Sequence, residues 1–420
     1  MFAATIREPA REVVVRDRCD VAVVGGGIAG VAAAVAAARA GAEVWLLEKS
    51  WALGGLATLG NVVIFLPLCD GRGRQVIGGL AEELMHLGVA DVPADDRRLH
   101  VCPVPACWQP DGDPAQRARV RYRADFNPTS LLLALEALVV ASGVRLLYDT
   151  RVCAVARDGE RVSHLLLENV DGRTALAVGA VVDASGEAEV CAQAGEPTAS
   201  LDTNVLAGWF YLLRDGRPEL VVLSKPYAED GSRHHAEGPF FRGDDALQAT
   251  AQVLGTRAWM RKHVAGLRRA QPETTFFPFQ APTVPGVRMT RRLRGRAELR
   301  EADAGRWCAD AVALTGDWRR SGPVYAVSLG CLAGVANENL LVAGRCLSAE
   351  GSAWDMARAI PTCAATGQAA GTAAALAVRE GGGALPRLDV GRLQHRLRDD
   401  GVILEESLLS GPSADLNSPP

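Results

Sequence analysis

Hydrophobic and polar positions near the amino terminus are arranged in blocks that predict a strand, a helix and a second strand. Residues 20–24 and 43–47 are short apolar runs, as expected of buried strands. The alanine-rich stretch between them has the composition of a buried helix, and Gly41 would end it as a C-cap. We therefore expect these segments to open an α/β domain.

The turn between the first strand and the helix matches the pattern GxGxxG. Gly25 would permit the tight turn, Gly27 would let the backbone approach a pyrophosphate, and Gly30 would allow close packing of the helix on the strand. Glu48 ends the second strand, about twenty residues after the glycine loop, where an acidic side chain binds ribose hydroxyls. This combination predicts a dinucleotide site; the alternative is a glycine-rich turn in an ordinary α/β domain.

A second turn of small residues follows Glu48 and Lys49 and contains Gly54, Gly55 and Thr58. Backbone at such a turn can lie against an extended cofactor, which a nicotinamide-binding domain does not need. With these residues the chain resembles the FAD-dependent oxidoreductases with a glutathione-reductase-type Rossmann fold, related to the fumarate reductase and succinate dehydrogenase flavoprotein branch. The resemblance implies an α/β fold, with a Rossmann-type FAD-binding domain and an inserted α+β substrate domain, here called the cap.

The resemblance recurs later in the chain. Residues 126–128 open a helical stretch, and residues 143–155 alternate like a strand that surrounds the adenine in the family. Residues 183–189 resemble the second fingerprint of the family, residues 344–345 resemble its GR turn, and residues 361–371 resemble its closing helix. In the family the amino terminus of that helix points at the flavin pyrimidine, where reduction develops negative charge that a helix dipole stabilises. The alternative is a well-capped core helix.

These matches give the residues that the resemblance predicts to contact FAD. The covalent members of the family carry a histidine just before the GG turn, whereas residues 51–53 here are Trp, Ala and Leu, so we expect non-covalent FAD. The predicted cofactor-binding residues are Gly25, Gly27, Ile28, Ala29, Gly30, Glu48, Lys49, Gly54, Gly55, Thr58, Val152, Ser185, Gly186, Gly344, Arg345, Pro361 and Thr362.

Composition and charge limit the kinds of binding partner and the location that we expect for this protein. The 45 basic and 49 acidic residues give a formal net charge of -4, which offers no field for gathering nucleic acid or an anionic membrane. Residues 21–47 and 362–378 are apolar, but glycines and polar residues interrupt both stretches, so we expect no membrane span. The charged amino terminus lacks the apolar run of a signal peptide, which favours a cytoplasmic location. The ten cysteines form no CxxC pair, so we expect reduced thiols, no metal, and electron transfer to oxygen or another acceptor.

The positions of the fingerprints suggest how the chain divides into domains. Segments without glycine fingerprints are richer in Pro, Trp and Arg, which is typical of a cap inserted into a cofactor domain. The predicted FAD-binding domain is 18–60, 116–199 and 320–385; the cap is 61–115 and 200–319; and 386–420 form a C-terminal helix and a disordered tail.

The candidates for substrate chemistry are less specific. Arg288 and Arg291 lie in a segment that resembles an arginine-rich motif of the family; on a helix they would share a face and clamp a substrate carboxylate, whereas on a strand they would point apart. A solvent-exposed arginine run fits this segment equally well. Tyr325 and Glu350 flank the GR turn and are the preferred candidates for a catalytic proton acceptor.

The sequence thus predicts an enzyme that moves a hydride from a small organic substrate to FAD. Two alternatives remain open: a reductase of an activated C=C bond, with Arg288 as proton donor, and a non-catalytic protein that holds flavin and docks a partner.

Overall fold

The computed structural model describes residues 5–91, 104–109, 111–224 and 238–410. The strands are β1 (Val15–Val24), β2 (Val44–Leu47), β3 (Ile64–Phe65), β4 (Ala124–Asp125), β5 (Arg145–Leu147), β6 (Arg151–Asp158), β7 (Arg161–Asn169), β8 (Gly172–Asp183), β9 (Thr198–Ser200), β10 (Ala207–Arg214), β11 (Arg217–Ser224), β12 (Phe276–Gln280), β13 (Arg291–Leu293), β14 (Ala311–Gly316), β15 (Val324–Ser328) and β16 (Leu340–Val342). The helices are α1 (Ile28–Arg39), α2 (Leu80–Val89), α3 (Pro114–Arg117), α4 (Pro128–Ala141), α5 (Glu189–Gln193), α6 (Ala246–Ala270), α7 (Gly351–Ala357), α8 (Ile360–Gly381) and α9 (Val390–Asp399).

The main domain is built on a twisted sheet with the strand order β5-β2-β1-β8-β7-β6, in which β16 also pairs with β8. Strands β5, β2, β1, β8 and β16 run parallel; β7 pairs antiparallel with β8, and β6 pairs antiparallel with β7. The last four residues of β1 are all buried, which explains why this strand reads as a continuous apolar run rather than an alternating one. The predicted α/β class with a Rossmann-type sheet is confirmed.

Helices α1 and α8 pack directly on one another through small residues. A Cβ atom on Gly367 would lie 2.2 Å from the carbonyl oxygen of Ala29, and one on Gly371 would lie 2.0 Å from that of Ala33. Both contact pairs advance four residues in the same direction, so the two helices run parallel and their amino termini lie at the same edge of the sheet. None of the described helices, including α8, is long and apolar enough to cross a membrane.

A second, smaller hydrophobic core defines the cap. The three-stranded sheet β11-β10-β12 packs one face against α6. This core is composed of Phe210, Leu212, Val221, Leu223, Met260, Val264 and Phe276.

The two cores place the domain boundaries differently from the sequence prediction. Helix α2, expected in the cap, packs on α8 within the main core, and β14, also expected in the cap, does the same. The reason is that α2 is amphipathic and β14 is buried along its whole length, and both pack on the long buried helix α8. The predicted C-terminal helix is present as α9, and the predicted disordered tail, from residue 411 onward, lies outside the described residues.

We expect Gly371→Ala to destabilise the protein by up to about 2 kcal/mol. The added methyl group collides with the backbone of α1, and overpacking of this kind costs about 1–3 kcal/mol, against which roughly 1 kcal/mol is gained in helix propensity. The matched control is Gly266→Ala in α6, where an added Cβ meets no atom within 4 Å. That substitution should stabilise the protein by up to about 1 kcal/mol. Urea unfolding followed by circular dichroism measures both, and equal effects of the two substitutions would contradict the packing argument.

Candidate functional site

The glycine loop between β1 and α1 combines two crowded positions with one open position. Gly25 has a φ of +100°, and a Cβ there would lie 2.6 Å from the carbonyl oxygen of Ala184. A Cβ on Gly30 would lie 1.7 Å from the carbonyl oxygen of Gly25, so the close packing predicted for this position is confirmed. Gly27, in contrast, has no atom within 4 Å of its Cβ position. The loop is therefore tightly packed at Gly25 and Gly30 and open at Gly27.

The start of α1 is buried but has no side-chain cap. Gly27 is the N-cap residue and has no side chain, and Ile28, Ala29 and Gly30 in the first turn are all buried. The first N–H groups of a helix have no partner within the helix, and together with the helix dipole they form an anion-binding site. The open space at Gly27 lies directly in front of these groups.

Glu48 holds the glycine loop against the end of β2. One oxygen of its carboxylate accepts a hydrogen bond from the Gly26 N–H at 2.6 Å, and the other accepts from both the N–H and the hydroxyl of Ser50, each at 2.7 Å. The side chain is buried. The predicted ribose-binding residue thus also positions the backbone of the loop, a function that its spacing did not indicate.

The second glycine turn lies beside the first. The Gly54 N–H donates to the carbonyl oxygen of Gly26 at 2.8 Å, and an added Cβ on Gly55 would lie 3.2 Å from the Cα of Gly27. The Thr58 hydroxyl donates to the carbonyl oxygen of Leu53 at 2.5 Å, so this side chain closes the turn from within. The two turns therefore form one continuous backbone surface next to the open space at Gly27.

The second fingerprint follows β8 and contains a buried carboxyl group. Asp183 accepts hydrogen bonds from the N–H and the hydroxyl of Ser185 and from the Cys191 N–H, and burial raises its pKa above the usual value. Ser185 thus turns inward, toward Asp183. Gly186 follows at the surface of the site, with the Arg345 guanidinium 2.5 Å from its Cβ position.

Lys49 connects the first fingerprint to the second. Its ammonium group lies 3.0 Å from the Glu189 carboxylate and 3.9 Å from that of Glu187. Burial works to lower the pKa of Lys49, but the two carboxylates outweigh it and the pKa is raised. Val152, on β6, is buried nearby, where its carbonyl oxygen accepts from Gln193 in α5.

The start of α8 is a second buried helix end without a side-chain cap. Ala359 is the N-cap residue, Pro361 and Thr362 in the first turn are buried, and the Thr362 hydroxyl lies 2.7 Å from that of Thr315 on β14. Since Gly367 meets Ala29, α8 begins six residues earlier than α1 along their common direction, or about 9 Å at the rise of an α-helix. The two uncapped helix ends are thus stepped along their common direction at one edge of the sheet.

Arg345 links the main domain to the segment that leads into the cap. Gly344 packs on Ala29, and the Arg345 guanidinium donates to the carbonyl oxygen of Val287 at 2.5 Å. Arg345 also acts on Cys363 in the first turn of α8: burial raises the pKa of this thiol to about 11, while Arg345 and Arg358 oppose the rise. Cys363 is therefore a neutral thiol near neutral pH.

The predicted carboxylate clamp is not assembled. Arg291 begins β13 and Arg288 lies in the irregular segment before it, so the two residues do not share a helix face. The Arg291 side chain donates to the carbonyl oxygen of Glu187 at 2.8 Å, and the Arg288 side chain donates to the Ser224 hydroxyl at 2.6 Å. Arg291 thus contacts the second fingerprint of the main domain, whereas Arg288 contacts the cap.

Tyr325 and Glu350 are also separated. Tyr325 is fully buried in β15, and burial, opposed by Arg320, raises the pKa of its hydroxyl. Glu350 precedes α7 and is paired with Arg300 at 3.2 Å, with 49% of its side chain exposed. The sequence placed both beside the GR turn, but the fold directs one into the core and the other to the surface, so neither is placed as a catalytic base.

Asn61, which no sequence motif singled out, joins the second glycine turn to the cap. This residue is fully buried with a φ of +54°; its amide donates to the carbonyl oxygen of Trp209 and accepts from the Gln280 side chain at 3.0 Å. The Thr283 N–H donates to the carbonyl oxygen of Leu59 at 2.8 Å. An Asn after a glycine turn is common, so no local signal marked it.

The arrangement fits FAD. The open backbone surface at Gly27 and the uncapped start of α1 suit a pyrophosphate, and the second uncapped helix end about 9 Å further along suits the electron-rich edge of a flavin. Among the described residues, no group of three or more His, Cys, Asp or Glu side chains is placed to hold a metal ion.

Comparison with known protein structures finds many similar folds at low identity. The chain aligns with a geranylgeranyl bacteriochlorophyll reductase-like protein from Thermoplasma acidophilum at 13% identity and a TM-score of 0.45, over 94% of this chain and 90% of that one. It aligns with 3-ketosteroid-delta4-(5alpha)-dehydrogenase from Rhodococcus jostii RHA1 at 16% identity and a TM-score of 0.42, over 86% and 97% of the two chains. No curated protein matches the sequence.

Comparison with protein-family models gives the family directly. The model described as "FAD dependent oxidoreductase" matches residues 20–203 and 241–397. The two matched segments cover well over half of the chain and include both glycine turns, the second fingerprint and α8. The chain therefore belongs to the family of FAD-dependent oxidoreductases.

Proposed function

We propose that this enzyme binds FAD non-covalently across the α1 and α8 amino termini and oxidises a small organic substrate by hydride transfer. The observation that carries the proposal is the pair of parallel, buried helix ends without side-chain caps, stepped by about 9 Å. When bound, FAD supplies the two-electron acceptor. The chain supplies binding, orientation and exclusion of water.

Non-covalent binding is supported by the residues before the second glycine turn. Trp51 is 72% exposed, and Ala52 and Leu53 are buried, so this segment offers no histidine for a covalent bond to the flavin. Oxygen or another acceptor completes the proposed cycle.

The substrate is proposed to enter between the cap and the start of α8. Asn61 ties the glycine turn to β10 and β12, and Tyr211 on β10 faces the main domain: burial, with a smaller contribution from Asp125 on β4, raises its pKa to about 12. At this interface the cap can exclude water from the reacting atoms, which strengthens electrostatic interactions there. Oxidation of the substrate is favoured over reduction of a C=C bond, because Arg288, the proton donor in that alternative, donates to Ser224.

We expect Glu48→Gln to weaken FAD binding by about tenfold or more. The amide keeps the shape of the side chain, but its NH₂ group cannot accept one of the hydrogen bonds from Gly26 and Ser50, and hydrogen bonds to charged groups contribute about 1.5–3 kcal/mol. Titration of the apoprotein with FAD, followed by flavin fluorescence, measures the effect. The control is Glu43→Gln at the opposite end of β2, where the carboxylate is exposed and 3.6 Å from Arg145. Equal FAD affinity in wild type and Glu48→Gln would refute the role of this carboxylate.

The purified protein should have flavin absorption bands, and acid precipitation should release them into the supernatant. Anaerobic addition of organic substrates should bleach the bands, and NAD(P)H should not. Flavin retained in the precipitate would disprove non-covalent binding. Bleaching by NAD(P)H followed by recovery on adding an activated alkene would favour the reductase instead.

A further inference from the structure

Three loops converge at the carboxyl end of β14. A Cβ on Gly316, the last residue of β14, would lie 3.1 Å from the carbonyl oxygen of Cys69, and the Gly322 N–H donates to the carbonyl oxygen of Asp70 at 2.7 Å. The third loop contributes Arg121, whose guanidinium donates to the carbonyl oxygen of Asp317. This convergence is rich in arginine.

The two carboxylates of the convergence are fully engaged. Asp70 accepts from the Arg74 guanidinium at 2.7 Å and from the backbone N–H groups of residues 72 and 74. Asp317 is paired with Arg319 at 2.9 Å and with Arg320 at 3.2 Å. Burial works to raise the pKa of Asp317, but hydrogen bonds from Arg319 outweigh it, so the pKa lies below its usual value. Both side chains are inaccessible to solvent.

Two guanidinium groups are left without a carboxylate. Within the part of the chain that the structure describes, neither Arg72 nor Arg121 forms an ion pair. The Arg121 Nε–H is buried and has no hydrogen-bond acceptor, and the indole N–H of Trp318, beside Asp317, is in the same situation. Burial lowers the pKa of Arg121, although nearby acidic groups oppose the effect. A buried donor without an acceptor is costly, so these groups require an acceptor from outside the chain.

The guanidinium groups of Arg72 and Arg121, neither of which is paired with a carboxylate among the described residues, border the same short segment. A Cβ on Gly322 would lie 2.6 Å from Arg72 Nη2, and a Cβ on Gly71 would lie 3.1 Å from Arg121 Cδ and 2.3 Å from the Ser321 hydroxyl. The unsatisfied groups on Arg121 and Trp318 are both N–H donors. Guanidinium groups bind the paired oxygens of carboxylate and phosphate with matching planar geometry, so an oxyanion is the ligand that suits this set.

The position of these residues relates them to the start of α8. Thr315 on β14 contacts Thr362 in the first turn of α8, and Asp317 follows Thr315 by two residues, about 7 Å along an extended chain. Asp317, whose carbonyl oxygen accepts from Arg121, therefore lies close to the second uncapped helix end.

We propose that Arg72, Arg121 and the indole N–H of Trp318 form an oxyanion site that holds a carboxylate or phosphate group of the substrate. The substrate would then be a small organic acid or a phosphorylated small molecule. The proposal rests on the oxidoreductase function only in taking the anion to be part of the substrate.

Isothermal titration of the full-length, FAD-containing protein with succinate and with inorganic phosphate, at constant ionic strength in chloride, tests the site. Wild type should bind at least one of the two anions, and the preferred one identifies the group as carboxylate or phosphate. Arg72→Gln and Arg121→Gln should each weaken binding by about tenfold or more, as expected for hydrogen bonds to a charged group. Trp318→Phe removes the N–H donor and keeps an aromatic side chain, and it should weaken binding several-fold.

The matched control is Arg119→Gln, because Arg119 is exposed and lies two residues from Arg121. Its affinity should stay within about twofold of wild type, since a solvated arginine adds little. Arg121→Lys keeps the charge and removes the planar fork; it should bind the anion less tightly and covers the case in which Arg121→Gln does not fold.

No binding of either anion by wild type, or an equal loss in Arg119→Gln, would overturn the site. Displacement of the anion by a substrate that bleaches the flavin would support its role as the substrate group. If the protein binds the anion through Arg121 but contains no flavin, the oxyanion site is supported and the proposed function is refuted. If a substrate reduces the flavin but the protein binds neither anion, only the oxyanion site is refuted.

Discussion

The close contact between α1 and α8 is the constraint on which the rest of the structure depends. Gly367 and Gly371 place the axis of α8 against the backbone of Ala29 and Ala33, at distances that no side chain could occupy. The contact makes the helices parallel and sets the step of about 9 Å between their amino termini. It also positions α8 to cover α2 and β14, so the helix whose amino terminus lies at the candidate site is also the centre of the main core.

Parallel helices bring two positive helix ends to one edge of the sheet, and the chain does not neutralise them itself. Its nearby carboxyl groups are used otherwise: Glu48 accepts from Gly26 and Ser50, and Asp183 accepts from Ser185 and Cys191. Carboxylates of the chain thus accept the hydrogen bonds of the loop N–H groups, while the helix ends remain available to an anionic ligand. This division is typical of a site that is preorganised for a cofactor.

The cap is attached to the main domain through a few directed hydrogen bonds rather than a shared core. Asn61 joins the second glycine turn to β10 and β12, and Arg345 joins the GR turn to the segment that leads back from the cap. The two hydrophobic cores are separate, with the smaller one confined to the cap. The loops that form the candidate cofactor site are therefore the ones that hold the cap.

The sequence by itself determined the α/β class, both glycine turns and the place of Glu48, because these depend on residues close together in the chain, where spacing and glycine content specify the conformation. Only the tertiary structure decided where the side chains of the catalytic candidates lie and what they contact. Arg291 contacts a residue 104 positions away and Arg288 one 64 positions away, while Tyr325 is enclosed by the core and Glu350 is exposed. Which side chains converge depends on the packing of distant segments, and a single sequence records no contact between them.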